Sequence, residues 1–250
     1  MKAQARFKLV LAASAIVSYA LVAHADDVPS WFVPVEQCTT SPCECVDLPT
    51  MKAFLADQTR ARDAWETVRR DINTQTGPRS AAAARALFNS RLGAASPDIA
   101  NKFTTCPGYD PAKNTLTKIA GVNASGVSVF DPCFCGAFCK DIIDATLVHE
   151  KMHVKSGVIL TLGAMHMLAF CKAFPSHAEC GKLEPLFLAA SEVASHDAGV
   201  KALDQGIRKL LEATEDCTTD GGAPSPIVPT GVGNRVQSLF SRFVNGAPPP

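Results

Sequence analysis

The sequence predicts a mainly helical α+β protein with a small β-hairpin or sheet, held together by disulfides. Apolar residues recur at helical spacing over long segments, which is typical of amphipathic helices. Two short β-rich segments flank Asn123–Gly126, and this arrangement favours a hairpin. The chain also has ten cysteines among its 250 residues, which favours a disulfide framework.

The first 25 residues predict a signal peptide. Basic residues precede an apolar run over 9–22, and Ala23-His24-Ala25 matches a cleavage site between small residues. An uncleaved membrane anchor is the alternative, but the apolar run is shorter than the ~20 residues that span a bilayer. We therefore expect a secreted or periplasmic protein whose mature chain starts at Asp26.

The charge balance argues against one class of partner. The whole chain has 24 basic and 24 acidic residues, and the predicted signal peptide contains basic residues but no acidic ones. The mature chain is therefore slightly acidic, which argues against binding to nucleic acid. No membrane association is expected after cleavage, because no later segment is long and apolar enough. We expect one domain over 26–220, then a Pro/Gly-rich linker and a short amphipathic tail over 221–250.

All ten cysteines follow the predicted signal peptide, so the mature chain is expected to fold in an oxidising compartment with five disulfides. Sequence alone leaves most of the pairing open. Cys171 and Cys180 are expected to close a local loop around Pro175. The alternative for the cluster Cys133–Cys139 is a thiolate metal site, although it lacks the paired spacing of zinc knuckles.

Two helices are expected in the first half of the mature chain. Apolar residues at helical spacing between Met51 and Ile72 predict an amphipathic helix. After the Gly77-Pro78 break, residues Ser80–Leu92 predict a second helix. Gly93 is well placed to end it, because glycine adopts the backbone conformation that commonly follows a helix.

A hairpin and a third helix are expected in the middle of the chain. Residues 115–122 and 127–130 form the two strands of the predicted hairpin. The next helix is expected to start with Asp141 as its N-cap, because a carboxylate accepts hydrogen bonds from the free N–H groups of a first turn. Asp144 suits that turn, where acidic side chains interact favourably with the helix dipole.

Two further helical segments are expected downstream. The apolar stretch Val158–Phe174 either continues the third helix past Gly157 or forms a separate buried helix. Pro185 is expected at the first position of the longest helix, because proline is favoured where an N–H group has no partner. This helix is expected to run to about Thr214.

The third helix contains an H-E-x-x-H motif, formed by His149, Glu150 and His153. Residues four apart on a helix are offset by about 40°, so both histidines can reach one cation. Glu150 is rotated by about 100° from His149, which suits contact with a water better than metal binding. The spacing predicts two imidazoles that hold zinc and one carboxylate that accepts a proton from water.

The longest helix supplies the expected third ligand, Glu192. Its apolar residues form one stripe, and both Glu192 and His196 fall within that stripe. A carboxylate buried without a partner costs several kcal/mol, so Glu192 needs a metal or a hydrogen-bonding group. An ion pair between Glu192 and His196, or a position at a solvated rim, is the alternative.

Other side chains are candidates for ligand or supporting roles. His196 is a candidate ligand, a candidate hydrogen-bond donor to the transition state, or a core histidine. Asp197 is a candidate acceptor that orients a zinc histidine, or else an exposed helix acid. His166 or His177 is an alternative third ligand in place of Glu192.

These residues resemble the zincin metallopeptidases, and among them the gluzincins, in which a glutamate on a later helix completes the H-E-x-x-H site. His149, Glu150 and His153 match the motif, and Glu192 matches the later glutamate. The resemblance covers two helices, roughly 141–156 and 185–214. It departs from the family at Lys151, where zincins usually have an uncharged residue.

The resemblance implies a zincin-like active-site helix, and a zinc-bound water that attacks a peptide carbonyl. Glu150 would act as general base and then as proton donor. The predicted hairpin is similar to the edge strand along which zincins hold an extended substrate. In a latent proform, a thiolate from Cys38–Cys45 would cap the zinc, and disulfide pairing of that region is the alternative.

We therefore expect an exported zinc metallopeptidase that acts on a peptide or protein. One Zn²⁺ is expected on His149, His153 and Glu192, with Glu150 and His196 as catalytic residues. A zinc hydrolase of a non-protein amide, such as a cell-wall amide, is an alternative. Another is a non-catalytic, disulfide-rich secreted interaction protein, because the motif arises by chance in roughly one chain in a hundred.

Overall fold

The computed structural model describes residues 28–74, 76–103, 119–123, 125–177, 179–214 and 217. The predicted signal peptide and tail lie outside these residues. The described chain is mainly helical, as predicted, with a three-stranded antiparallel sheet. The helices are α1 Leu48–Ile72, α2 Ala81–Leu92, α3 Pro97–Phe103, α4 Pro132–Ala137, α5 Lys140–Gly163, α6 Met165–Ala173 and α7 Cys180–Ala213. The strands are β1 Val33–Pro34, β2 Ala120–Val122 and β3 Ser128–Phe130.

Helices α1 and α2 confirm the two helices predicted in the first half of the mature chain. The hydroxyl of Ser80 accepts a hydrogen bond from the Ala83 N–H at 3.2 Å, and so caps α2. Gly93 ends α2 with a φ of 72°, a left-handed conformation that favours glycine. The buried rings of Trp65 and Phe88 stack with centroids 4.3 Å apart, and this contact joins the two helices.

The sheet confirms the predicted hairpin and adds a strand. β2 pairs with β3 in antiparallel fashion, with Gly121 opposite Val129. The side chain of Asn123 holds the turn, because its oxygen accepts from the backbone N–H groups of Ser125 and Val127, both at 3.0 Å. β1 was not predicted and pairs with the other side of β3, so β2 is an edge strand of the sheet that the described residues form. Residues 115–118 of the predicted strand lie outside the described chain.

Helix α5 starts differently from the prediction, because Asp141 is not its N-cap. The helix begins at Lys140, whose N–H donates to the backbone oxygen of Ser41 at 2.8 Å. The Asp141 N–H lies 3.2 Å from the sulfur of Cys43. Ser41 and Cys43, which are distant in the sequence, therefore lie at the N–H groups that a nearby carboxylate was expected to cap. The helix then continues past Gly157 to Gly163, as the first alternative predicted, but Met165–Ala173 forms the separate helix α6, so each alternative holds for part of the stretch.

Helix α7 is the longest described helix, but Pro185 is not at its start. The helix begins at Cys180, so Pro185 lies in its second turn and removes the bond to the Gly181 carbonyl. Leu183 is buried, and the disulfide to Cys171 anchors the first residue, so packing and the cross-link extend the helix before the proline. The predicted apolar stripe is confirmed, with buried residues Ala189, Val193, Val200, Leu203 and Ile207.

Disulfides join the N-terminal segment to the helices. The pairs are Cys38–Cys135, Cys43–Cys139, Cys45–Cys217 and, as predicted, Cys171–Cys180. Cys133 is also disulfide-bonded, and no cysteine in the described part of the chain is free. The alternatives of a thiolate metal site at Cys133–Cys139 and of a zinc-capping thiol at Cys38–Cys45 are therefore wrong. Among the described helices, none is sufficiently long and apolar to cross a bilayer.

Helices α5 and α7 pack unusually close together, because glycines lie between them. A Cβ added at Gly199 would lie 3.3 Å from the backbone oxygen of Ala145 on α5. One added at Gly206 would lie 3.0 Å from Cβ of Asp141. Both distances are shorter than ordinary contacts between carbon and its neighbours. This close approach places the side chains of α7 directly beside the H-E-x-x-H motif of α5.

Candidate metal centre

The structure brings together the three side chains that the sequence predicted as zinc ligands. One donor atom from each of His149, His153 and Glu192 lies within 4.8 Å of the other two. The two histidine Nε2 atoms are 3.0 Å apart, and His153 Nε2 is 3.7 Å from Glu192 Oε2. The histidines come from successive turns of α5, and the glutamate comes from α7. The position of Glu192 within the apolar stripe of its helix therefore predicted correctly that its side chain faces α5.

Two of the three donor spacings are close to those around a zinc ion. Zinc binds imidazole nitrogen and carboxylate oxygen at about 2.0–2.2 Å in tetrahedral geometry, which puts neighbouring donors about 3.3 Å apart. The distances of 3.0 Å and 3.7 Å lie on either side of that value. Two imidazoles and one carboxylate are also a donor set that suits zinc. The three residues are therefore compatible with the metal.

A chain of hydroxyl groups holds His153 in the tautomer that binds metal. Nδ1 of His153 lies 3.1 Å from Oγ of Ser191, and that oxygen lies 2.7 Å from Oγ of Ser156. The Ser156 hydroxyl donates to the backbone oxygen of His153 at 3.3 Å. Because the Ser156 hydroxyl donates in this bond, the Ser191 hydroxyl donates to Oγ of Ser156. The Ser191 oxygen then accepts a hydrogen bond from the N–H at Nδ1 of His153. The Nε2 lone pair of His153 then faces the other two donors.

His149 is held by burial and by the close approach of α7. Burial lowers the pKa of His149 well below its usual value, the neighbouring His196 lowers it further, and the Ser195 backbone opposes both effects. Its Nδ1 atom is buried beside that backbone, without a hydrogen bond of normal geometry. The imidazole is therefore neutral at physiological pH, which is the form that binds a metal ion.

His196 lies beside the three donors but outside their group. Its Nδ1 atom is 2.7 Å from Oε1 of Gln58 on α1. An amide oxygen only accepts, so His196 carries its proton on Nδ1, and Nε2 is the unprotonated nitrogen. Nε2 lies 3.8 Å from Oε2 of Glu192. Burial, with smaller effects from His153 and Arg62, lowers the pKa of His196 to about 3.

Glu150 lies beside His149 in the wall of a cavity. Its side chain is buried, and Oε1 lies 3.9 Å from Nε2 of His149. It lines a cavity of about 320 Å³ together with the three candidate ligands and His196. A carboxylate at this place can accept a proton from a water held in the cavity.

The cavity lies between two hydrophobic clusters. Phe54 and Ile119 belong to the cluster around the sheet and α4, whereas Trp65 and Phe88 belong to the cluster between α1 and α2. All four residues line the cavity together with the candidate ligands. Ala120 of the edge strand β2 lines it too. The chamber therefore combines an apolar wall with a small group of polar side chains, as ligand sites commonly do.

Other predicted candidates do not belong to this group. Asp197 is neither an acceptor for a zinc histidine nor an exposed acid, since its half-buried carboxylate pairs with Lys201 at 2.6 Å and Arg62 at 3.8 Å. His177 is exposed in the loop before α7, where its ring contacts Phe170, so it does not replace Glu192. The side chain of His166 lies outside the part of the chain that the structure describes.

Sequence reasoning missed the residues that orient the histidines. Gln58, Ser156 and Ser191 have no spacing that marks them, because each reaches its histidine from another helix or another turn. The packing role of Gly199, in contrast, could have been recognised from the sequence. It stands inside a long helix, where glycine costs about 1 kcal/mol relative to alanine and so indicates a packing requirement.

No protein-family model, curated protein or solved structure matches this chain. Its function is therefore inferred from the geometry of the site.

Proposed function

We propose that the protein is an exported, zinc-dependent hydrolase of peptide bonds with a zincin-like active-site helix. One observation carries this proposal: His149, His153 and Glu192 place three donor atoms within 4.8 Å, with Glu150 buried beside them. The described disulfides support an exported protein, because such bonds persist in oxidising compartments.

Three side chains would hold the metal. His149 and His153 offer neutral Nε2 atoms, and Glu192 offers a negative charge that partly balances a divalent cation. A bound zinc ion supplies Lewis acidity, which polarises a carbonyl oxygen and lowers the pKa of water. His196 lies outside the three-donor group, which is consistent with a catalytic site that keeps a position open for substrate.

Glu150 would move the proton. Its carboxylate accepts a proton from a water in the cavity as the water oxygen bonds to the peptide carbonyl carbon. It then donates that proton to the leaving nitrogen as the carbon–nitrogen bond breaks. Burial beside His149 keeps the carboxylate close to the reacting atoms, which reduces the entropic cost of the reaction.

His196 would contribute as a neutral acceptor. The predicted role, donation to the transition state, requires a proton on Nε2. The hydrogen bond to Gln58 instead places the proton on Nδ1. We propose that Nε2 accepts a hydrogen bond from a substrate N–H group and so orients the substrate in the cavity.

The strand beside the cavity favours a peptide substrate. Among the described strands, β2 pairs with β3 alone, and Ala120 of β2 lines the cavity. An extended peptide can add to such an edge through backbone hydrogen bonds. This would lay a substrate backbone across the cavity toward Glu150.

Metal analysis of the oxidised protein tests the ligand set. We expect about one zinc per chain, lost in His149→Ala and retained in His177→Ala, because His177 is exposed and outside the ligand group. A protein that binds no zinc would contradict the proposal and favour the interaction-protein alternative.

Hydrolysis of a mixed peptide library tests the chemistry. Glu150→Gln should keep zinc and lose about 10²- to 10⁴-fold in turnover, the usual contribution of a general base. The matched control is Glu212→Gln, at an exposed position of α7. Equal turnover in Glu150→Gln and the native protein would refute the role of Glu150. Zinc binding without cleavage of any peptide would favour the non-protein amide instead.

A further inference from the structure

Residues Val28–Phe32, named the cover segment below, form part of the wall of the cavity. Val28, Pro29 and Phe32 line the same cavity as the candidate ligands. Ser30 and Trp31, by contrast, are exposed. Three of its five residues therefore face the site, whereas Ser30 and Trp31 face solvent.

The cover segment rests against the edge strand. A Cβ added at Gly121 of β2 would lie 2.9 Å from Cγ2 of Val28. That distance leaves no room for a side chain at position 121, so Val28 sits directly on the strand backbone. The cover segment therefore contacts the same strand along which an extended substrate is proposed to bind.

Among the described residues, few interactions hold the cover segment in place. The Phe32 N–H donates to the backbone oxygen of Pro29 at 3.0 Å, which forms a local turn. Its cavity-facing residues Val28, Pro29 and Phe32 are only half-buried. The chain is tied to the sheet from Val33 onward, where β1 pairs with β3. Segments with little buried surface open at low free-energy cost, while the sheet that anchors them stays folded.

We propose that the cover segment restricts access to the cavity in the observed structure and can move away to open it. In the closed arrangement Val28 lies against β2 and Phe32 lines the cavity, and a substrate that adds to β2 must displace the segment. The effect on turnover rests on the proposed hydrolase function. The opening itself does not, and it can be measured without zinc or substrate.

Tryptophan fluorescence measures the opening directly. The chain has two tryptophans, so Trp31→Phe leaves Trp65 as the single reporter. Trp65 is 3% exposed and lines the cavity. In this background, Gly121→Ala pushes Val28 away from β2, and Phe32→Ala removes an apolar side chain from the cover segment. Val46→Ala is the matched control, because Val46 is 78% exposed and is not among the cavity-lining residues.

Acrylamide quenching of Trp65 should rise in both Gly121→Ala and Phe32→Ala and stay unchanged in Val46→Ala. Unchanged quenching in both cover variants, with native circular dichroism, would overturn the proposal. So would an equal rise in the control. If one variant fails to fold, the other still tests the cover, because Gly121→Ala acts on Val28 from the strand and Phe32→Ala acts within the cover segment.

Turnover supplies the second measurement. If the cover segment is closed in about 90% of molecules, displacing it raises kcat/KM by about tenfold. Zinc content should stay the same in each variant. Increased quenching with reduced kcat/KM would also overturn the proposal, since the segment would then be part of the substrate site. If no form of the protein cleaves peptides, the hydrolase proposal fails, while the quenching still decides whether the segment covers the cavity.

Discussion

Replacing Gly199 by alanine should weaken the metal site through the contact between α5 and α7. The new Cβ would lie 3.3 Å from the backbone oxygen of Ala145 and 3.4 Å from Cβ of His149. Comfortable contacts are about 3.5–4.0 Å, so the helices must separate by a few tenths of an ångström. His149 lies on one helix and Glu192 on the other, so the separation acts directly on the distance between two proposed ligands.

The expected magnitude combines two opposing effects. Alanine stabilises a helix interior by roughly 0.5–1 kcal/mol relative to glycine. Overpacking costs about 1–3 kcal/mol, so we expect a net loss of about 1 kcal/mol in the free energy of unfolding. Disturbing the groups that support metal ligands costs about 10- to 100-fold in affinity, and a shift of this size should fall near tenfold.

Competition titration with a zinc chelator measures the affinity, and urea unfolding measures the stability. The matched control is Gly181→Ala, also on α7, where the nearest atom to the new Cβ is Cδ of Arg79 at 3.8 Å. This ordinary contact should leave zinc affinity unchanged. Native zinc affinity and undiminished stability in Gly199→Ala would refute the inference that this glycine sets the distance between the ligands.

Three further predictions concern hydrogen bonding, pH and disulfides. Ser191→Ala should lower zinc affinity about tenfold with little loss of fold, because His153 loses its tautomer partner, and unchanged affinity would contradict the hydroxyl chain. In the metal-free protein, burial lowers the pKa of His196 in the folded state to about 3, below the reference value of 6.5. The unfolded state therefore takes up this proton at a higher pH than the folded state. The free energy of unfolding should therefore be highest above pH 6.5 and decrease toward pH 3, by up to about 1.4 kcal/mol per pH unit. In His196→Gln, the urea midpoint should change less between these two pH values. Cys43–Cys139 shortens the loop that Cys45–Cys217 closes to about 80 residues, whereas Cys171–Cys180 closes a loop of about 10, so replacing the first pair by serine should cost about 2 kcal/mol more in unfolding free energy than replacing the second. Equal costs would argue against the chain-entropy explanation.

The parts of the site that depend on helical geometry could be predicted from the sequence. His149 and His153 are four residues apart on one helix, and any α-helix through that segment places them on one face. Glu192 followed from the apolar stripe of α7, since a carboxylate inside such a stripe faces the neighbouring helix. These positions need no knowledge of how the chain folds beyond the identity of two helices.

The supporting residues could not be predicted in the same way. Gln58 reaches His196 from α1, 138 residues away along the chain, and no local pattern marks that contact. Similarly, α5 starts at Lys140 because Ser41 accepts its N–H, a partner that only tertiary structure supplies. The cover segment was missed because a short stretch with two exposed residues has no helical or strand period.

X-ray absorption at the zinc edge tests the central claim most directly, because it identifies the atoms bound to the metal. For the oxidised protein loaded with one zinc, we predict nitrogen and oxygen ligands at about 2.0–2.2 Å, including two imidazoles. In Glu192→Ala, the imidazole signal should remain while one oxygen ligand changes. A sulfur shell at about 2.3 Å, or a spectrum that does not change in Glu192→Ala, would contradict a site built from His149, His153 and Glu192.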